Sequence, residues 1–290
     1  MKSPVQILQA ESLKQLPWLV HGFSTRVAGT SRVYGGKALN LGLTQHDSHA
    51  AVERNRLAFL RHIGAVSGKR PWPLVTLRQI HSDLIHLVSQ VPECPLVGDG
   101  LVTQQPGIVL AVQTADCLPI ILVDVKRKAV GVFHAGWRGT VKRIVEKGFG
   151  VMRLHCGSAT RDIHAAIGPG IHNCCYQVGP EVRDQFESQF AYAATWFRET
   201  KDSDEIREKY PLLFLSARAP GHSELPKKIF LDLVEANRRQ LMDAGVKAKN
   251  ISASPLCTAC RPDLLFSHRA ERGVTGRMLA VVAIRPEARQ

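Results

Sequence analysis

"GIVLAVQTADCLPIILVDVKRKAVGVFHAGWRGT", residues 107–140, decides the fold. Two long apolar runs flank a polar "DVKRKA", and that pattern reads as an antiparallel hairpin. Folding the runs about this turn brings Cys117 opposite His134, within about two positions of register. The second run ends in the tight connection "AGWRG", and helical spacing follows, so His134 and Arg138 fall where a sheet hands over to a helix. Gly136 and Gly139 let the backbone approach a ligand closely. Thr140 is the expected helix cap, and the free N–H groups of that helix together with Arg138 would form an anion site.

Outward from this hairpin the pattern is mixed. "VHGFST", "LVTLRQIH", "IHAAIGPG" and "MLAVVAIRP" read as further strands, while "AAVERNRLAFLRHIG", "VKRIVEKGFGVMRLHC", "PEVRDQFESQF" and "FLDLVEANRRQLMDAG" have helical spacing. No repeat or low-complexity linker interrupts the chain, so an α+β fold with one continuous core in a single domain over 1–290 is expected. The stretch 195–228 has no clean period and is read as a surface excursion, with a lid over a site as its functional alternative.

At 290 residues and 44% hydrophobic the chain can bury a sizeable core. It has no apolar run of signal or membrane-span length, which predicts a soluble, cytoplasmic protein with no membrane partner. The formal net charge is +13, but Lys and Arg are scattered and not gathered on one helix or tail. That favours a basic surface suited to anionic or phosphorylated small molecules over nucleic-acid binding. Seven cysteines are an odd number without a secretory signal, so free thiols are expected rather than a disulfide framework. Cys257 and Cys260 have CxxC spacing but no second CxxC, and are read as reduced structural thiols.

A third chemical group joins the hairpin pair if "LVTLRQIHS" is a strand ending at His81, with Gln79 two residues earlier on the same face. Two imidazoles and a thiolate suit Zn²⁺ at three of its four tetrahedral positions and leave the last open. The same residues also allow a metal-free chemistry, in which His81 or His134 deprotonates Cys117 to give a nucleophile. Spacing alone leaves both open. A binding or scaffold protein, supported by the basic surface, is the reading from outside enzymology.

Taken in order, "GFSTR", "NLG", "RQIHS", "GDGLVT", "TADCLPI", "HAGWRGT", "IGPGIHNCCYQVG", "DLVEANRRQL" and "FSHR…TGR" resemble, across nearly the whole chain, a bacterial family once called multicopper polyphenol oxidase or laccase-like. Its members are now described as zinc-dependent purine nucleoside phosphorylases with adenosine deaminase activity, and some as peptidoglycan editing factors. The resemblance implies a layered α/β/β/α sandwich with mixed sheets and one Zn²⁺ on His81, Cys117 and His134. It implies phosphorolysis of adenosine, inosine, guanosine and methylthioadenosine, with inorganic phosphate as co-substrate, and deamination of adenosine. On that basis Arg138 is the expected phosphate ligand and Arg26 a secondary one, while Asn40, Gln79 and Asp99 are candidates for orienting sugar hydroxyls or relaying protons. A peptidoglycan-editing amidase is the enzymatic alternative. Copper is an alternative ion not taken as physiological, because multicopper oxidases need many more His ligands than these motifs supply.

Overall fold

The computed structural model describes residues 5–200 and 228–287. Its contacts divide the chain into two compact units, Met1–His172 with Leu233–Gln290, and Asn173–Asp232. The first of these holds the two large sheets, and the second lies between its two segments in sequence.

In the layered unit the strands of the two large sheets are β1 (Ile7–Leu8), β2 (Leu19–Ser24), β3 (Leu74–Val75), β4 (Ile85–Leu87), β5 (Gly100–Thr103), β6 (Val109–Thr114), β7 (Leu118–Asp124), β8 (Ala129–Ala135), β9 (Ile163–Ile167), β10 (Ile251–Ala253) and β11 (Met278–Ile284). One mixed sheet has the order β1-β2-β11-β6-β3, the other β10-β9-β7-β8-β5-β4. The helices are α1 (His49–His62), α2 (Trp137–Val141), α3 (Ile144–Cys156) and α4 (Leu233–Asp243).

Strand alternation assigns each face. Phe23, Leu110, Val112, Ala280 and Val282 of the first sheet share one buried cluster with Leu101, Ile121, Val123, Val130 and Val132 of the second, so the sheets pack face to face. The opposite face of the first sheet, through Val20, Val109, Ala111, Leu279 and Val281, packs on Phe59, Leu60 and Ile63 at the end of α1. The outer face of the second sheet carries α3. A Cβ on Gly148 of that helix would lie 2.3 Å from the fully buried Phe133 ring of β8, so glycine there lets helix and sheet close on each other. The α/β/β/α layering follows from these packings.

The hairpin of residues 107–140 is found with Leu118 opposite Ala135 and Pro119 opposite His134, which sets Cys117 two positions from His134. The preceding run, β6, pairs instead with β11 in the other sheet. Two expectations change. "LVTLRQIH" is not one strand: after Leu74–Val75 and a two-residue strand at Leu77–Arg78 the chain leaves the extended path, and His81 sits at φ +57°. The helix after "AGWRG" begins at Trp137, with Gly136 as its cap residue. Thr140 is inside it, and its Oγ1 donates back to the Gly136 carbonyl at 2.9 Å, as Ser and Thr often do within helices.

The insertion has its own sheet of Gln177–Val178, Lys228–Leu231 and Phe197–Thr200, and a helix at Pro180–Gln189. Phe186, Phe190, Tyr192, Trp196 and Phe197 form its aromatic core, largely edge to face. Of the stretch 195–228 considered as a lid, residues 201–227 lie outside the described residues. Among the described residues no helix is long and apolar enough to cross a membrane.

One buried titratable group lies away from the site. His21 of β2 is 2% exposed, and its Nε2 has no hydrogen-bond partner among the described residues. Burial holds its pKa down at about 4. The unfolded chain, titrating near 6.5, binds the proton first, so the stability His21 contributes is present above pH 6.5 and lost as pH falls through 4. The loss expected over that window is about 3 kcal/mol. Denaturant unfolding at pH 7 and pH 4 should show His21→Leu losing that much less than wild type, and equal losses in the two proteins would contradict the assignment.

Candidate metal centre

Three ligand-bearing side chains meet at one open end of the inter-sheet face. Phe133 and Gly131 of β8 face α3, so His134 continues the inter-sheet row of Val130 and Val132. Cys117 immediately precedes β7 with the parity of Ile121 and Val123. His81 arrives from the loop after Arg78. The ligand atoms of His81, Cys117 and His134 all lie within 4.8 Å of one another, and His81 Nε2 is 3.8 Å from Cys117 Sγ. Tetrahedral zinc with its usual bond lengths separates N and S ligands by about 3.6 Å, so the residues present fit one such ion. The imidazoles of His81 and His134 stand edge to face at 4.9 Å between centroids. Burial is graded: His134 is buried, Cys117 half-buried and His81 exposed, so the cluster faces solvent on its His81 side.

Asp99 organises this cluster. It is fully buried just before β5, and its backbone carbonyl accepts the His134 N–H at 2.8 Å. Its Oδ1 accepts from His134 Nδ1 at 2.8 Å and from the His81 N–H at 3.1 Å. Its Oδ2 accepts from the Ser82 N–H at 2.6 Å, Ser82 Oγ at 2.7 Å and the Ile80 N–H at 3.3 Å. One carboxylate therefore fixes the His134 tautomer, leaving Nε2 for a metal, and holds the left-handed turn that presents His81. Burial alone would push the Asp99 carboxyl up, but these donors together hold it well below the usual carboxylate range. Both of its oxygens are engaged inside the protein.

Without a metal, Cys117 and His134 stabilise each other's charged forms. Burial would raise the Cys117 thiol, yet the neighbouring His134 and His81 imidazoles bring it down to about 6. Burial would lower His134, yet the Cys117 thiolate and the Asp99 hydrogen bond raise it to about 9. Gly136 is required by this closeness: a Cβ there would lie 2.9 Å from Cys117 Sγ and 3.1 Å from His81 Cδ2. Glycine at this position thus lets the Cys117 and His81 side chains come close to the backbone.

The remaining candidates divide. Arg138 is exposed, with its guanidinium 4.3 Å over the Trp137 ring, and it forms no ion pair among the described residues. Arg26 is engaged: it pairs with Glu271 at 3.0 Å, donates to the Pro262 and Tyr34 carbonyls, and lies over the Phe266 ring. Gln79 donates to the Gln113 carbonyl at 2.8 Å and accepts the Gln113 N–H at 2.7 Å, so its amide extends β6 like a missing strand. Asn40 is fully buried and bonds Asp47, Gly42 and the Arg277 N–H. These three brace loops around the centre through hydrogen bonds made inside the protein. The two residues that sequence reasoning missed as ligand-orienting groups are Asp99, in that role, and Ser82. The available signal was an Asp between two glycines at the mouth of an apolar strand, "GDGLVT".

The fold and site define a class: a layered α+β protein with a His₂Cys centre open on one side. Comparison with known families makes this specific. The family described as multi-copper polyphenol oxidoreductase laccase matches residues 20–285, and the chain belongs to it. The protein named purine nucleoside phosphorylase YlmD of Geobacillus stearothermophilus is 34% identical, over 93% of this chain and 95% of that one. Adenosine deaminase RL5, from an unknown prokaryotic organism, is 36% identical over 68% and 69%. The crystal structure of the Bacillus licheniformis hypothetical protein YfiH superimposes with a TM-score of 0.80 at 30% identity, covering 98% of this chain and 97% of that one.

Proposed function

We propose that this protein is a zinc-dependent purine nucleoside phosphorylase, acting on adenosine, inosine, guanosine and methylthioadenosine, that also deaminates adenosine. The observation that carries the reading is the convergence of His81, Cys117 and His134 with Asp99 behind them. The names of the relatives, one a phosphorylase and one a deaminase, support it. Among the described residues the histidine-containing metal group is this one triad, enough for a single ion and short of the several His-rich sites that laccase chemistry requires.

His81, Cys117 and His134 would hold the ion, which when bound supplies Lewis-acid polarisation of a water or phosphate oxygen. Asp99 keeps His134 Nδ1 protonated and so directs Nε2 outward. Arg138, stacked on Trp137, presents its N–H edge to a phosphate dianion. Phosphorolysis joins a phosphate oxygen to the ribose anomeric carbon as the bond to the purine nitrogen breaks. Deamination joins a water oxygen to the ring carbon that carries the amino group, releases ammonia and uses no phosphate, so the two reactions should part at Arg138.

Adenosine incubated with and without phosphate, with products separated by chromatography, tests this. Inosine should form in both cases, and free base only with phosphate. Arg138→Ala should cut phosphorolysis about tenfold or more and leave deamination within a few-fold. Free base formed without phosphate would make the protein a nucleosidase, and equal loss of both activities would make Arg138 a structural residue.

A second reading has one specific observation in its favour. Cys117, His134 and Asp99 form a thiol–imidazole–carboxylate chain with a lowered thiol pKa, the arrangement of a cysteine hydrolase. Full activity of the metal-stripped protein would select it.

A further inference from the structure

Asp116, the residue before Cys117, occupies φ +93°, where L side chains are rarely found. Three segments far apart in sequence hold it there. The Thr258 hydroxyl, itself fully buried, donates to Oδ1 at 2.6 Å. The Arg269 N–H donates to Oδ2 at 2.6 Å. The Ile171 N–H donates to the Asp116 carbonyl at 2.7 Å. Gly170 makes room for that last approach, since a Cβ there would lie 2.9 Å from the Asp116 carbonyl oxygen.

Backbone held in a sparsely populated region persists only where its surroundings over-determine it. Here the surroundings are a buried carboxylate and its two donors, and the direction in which the chain leaves residue 116 sets where the Cys117 Cα–Cβ bond points. We infer that Asp116 is a positioning residue for Cys117: its ties to Thr258 and Arg269 hold the strained peptide that aims Sγ at His81 and His134. Both carboxylate oxygens of Asp116 accept from groups of the protein itself. The inference rests on the proposed reading in which Cys117 is a metal ligand.

The test compares wild type with Asp116→Asn, which removes the carboxylate charge from both hydrogen bonds, and with Thr258→Val and Thr258→Ser. Two readouts are taken on each: zinc affinity by chelator competition, with the sulfur-to-metal absorption of the Co²⁺ form, and the rate at which iodoacetamide alkylates Cys117 in the metal-free protein, read by peptide mass spectrometry. Asp116→Asn and Thr258→Val should weaken zinc about tenfold or more and diminish the Co²⁺–thiolate band. Both should slow alkylation of Cys117 several-fold, because the sulfur leaves its imidazole neighbours. Thr258→Ser, which keeps the hydroxyl, should restore both. Folded variants with wild-type affinity and alkylation rate overturn the inference, even if they melt at lower temperature. If Asp116→Asn does not fold, the Thr258 pair decides. A wild type that binds no metal removes the zinc reading, whereas the alkylation comparison still decides the positioning of Cys117.

Discussion

Cys117→Ala is expected to lose both phosphorolysis and deamination, to below about a hundredth of the wild-type rate, together with tight zinc binding. The thiolate is the soft member of the ligand set and the only one carrying a formal negative charge. Losing a direct ligand should exceed the 10–100-fold that loss of an outer-shell partner typically costs in metal affinity. The variant should fold, because Cys117 is half-buried and makes no backbone bond through its side chain. The remaining pair, His81 and His134, would still lie side by side but could not neutralise a divalent ion. The pH dependence has a definite sign. With the Cys117 thiol at about 6 and His134 at about 9, the metal-free site at pH 7 holds a thiolate and an imidazolium. A metal must displace the His134 proton, so wild-type zinc affinity should rise with pH up to about 9 and fall more steeply below 6, where Cys117 is protonated as well. Calorimetry in buffers of different ionisation enthalpy reads those protons. No proton release at pH 7 would contradict the pairing.

Asp99→Asn is the second large effect expected. The carboxylate accepts five hydrogen bonds from His134, His81, Ile80 and Ser82 in a fully buried position. An amide keeps one acceptor oxygen and turns the other side into a donor that faces N–H groups. Leaving buried donors unsatisfied costs about 1–3 kcal/mol each, so the variant should melt well below wild type. It also removes the acceptor that selects the His134 tautomer and the cradle that holds His81 at positive φ. Zinc affinity should therefore fall about 10–100-fold, and activity with it. Ser82→Ala, which removes a single donor to the same oxygen, should show the same pattern with smaller amplitude. A stable Asp99→Asn protein with unchanged metal affinity would show that the carboxylate does not orient the ligands.

Much of this arrangement is legible in the sequence because the hairpin of residues 107–140 is a local structure. Apolar runs on both sides of a polar turn place its register within about two positions, which is enough to make Cys117 and His134 neighbours. The layering is legible for a related reason, since continuous apolar strands such as "VLAVQT" and "MLAVVAI" must be covered on both faces. The reading of His81 as the end of a strand fails beyond Arg78 because tertiary contact outweighs local pattern. Four donors on residues 80–82 turn the chain around Asp99, and nothing within "LVTLRQIHS" encodes a carboxylate seventeen or more residues away. Asn40, Gln79 and Arg26 also take their surroundings from the fold. Polar residues near a site resemble ligands in sequence, and only the fold shows that their hydrogen bonds are spent on Asp47, Gln113 and Glu271. Thr140 reads as a cap because Thr caps helices, but the glycine four residues earlier takes that position and Thr140 bonds back to it.

The central claim is that one metal ion held by His81, Cys117 and His134 serves both reactions. Adding zinc stepwise to the metal-stripped protein while following adenosine turnover in phosphate tests it most directly. Both activities should be absent at the start, rise together in proportion to added zinc, and level off at about one equivalent per chain. Turnover by the metal-free protein, or two activities that saturate at different stoichiometries, would contradict it.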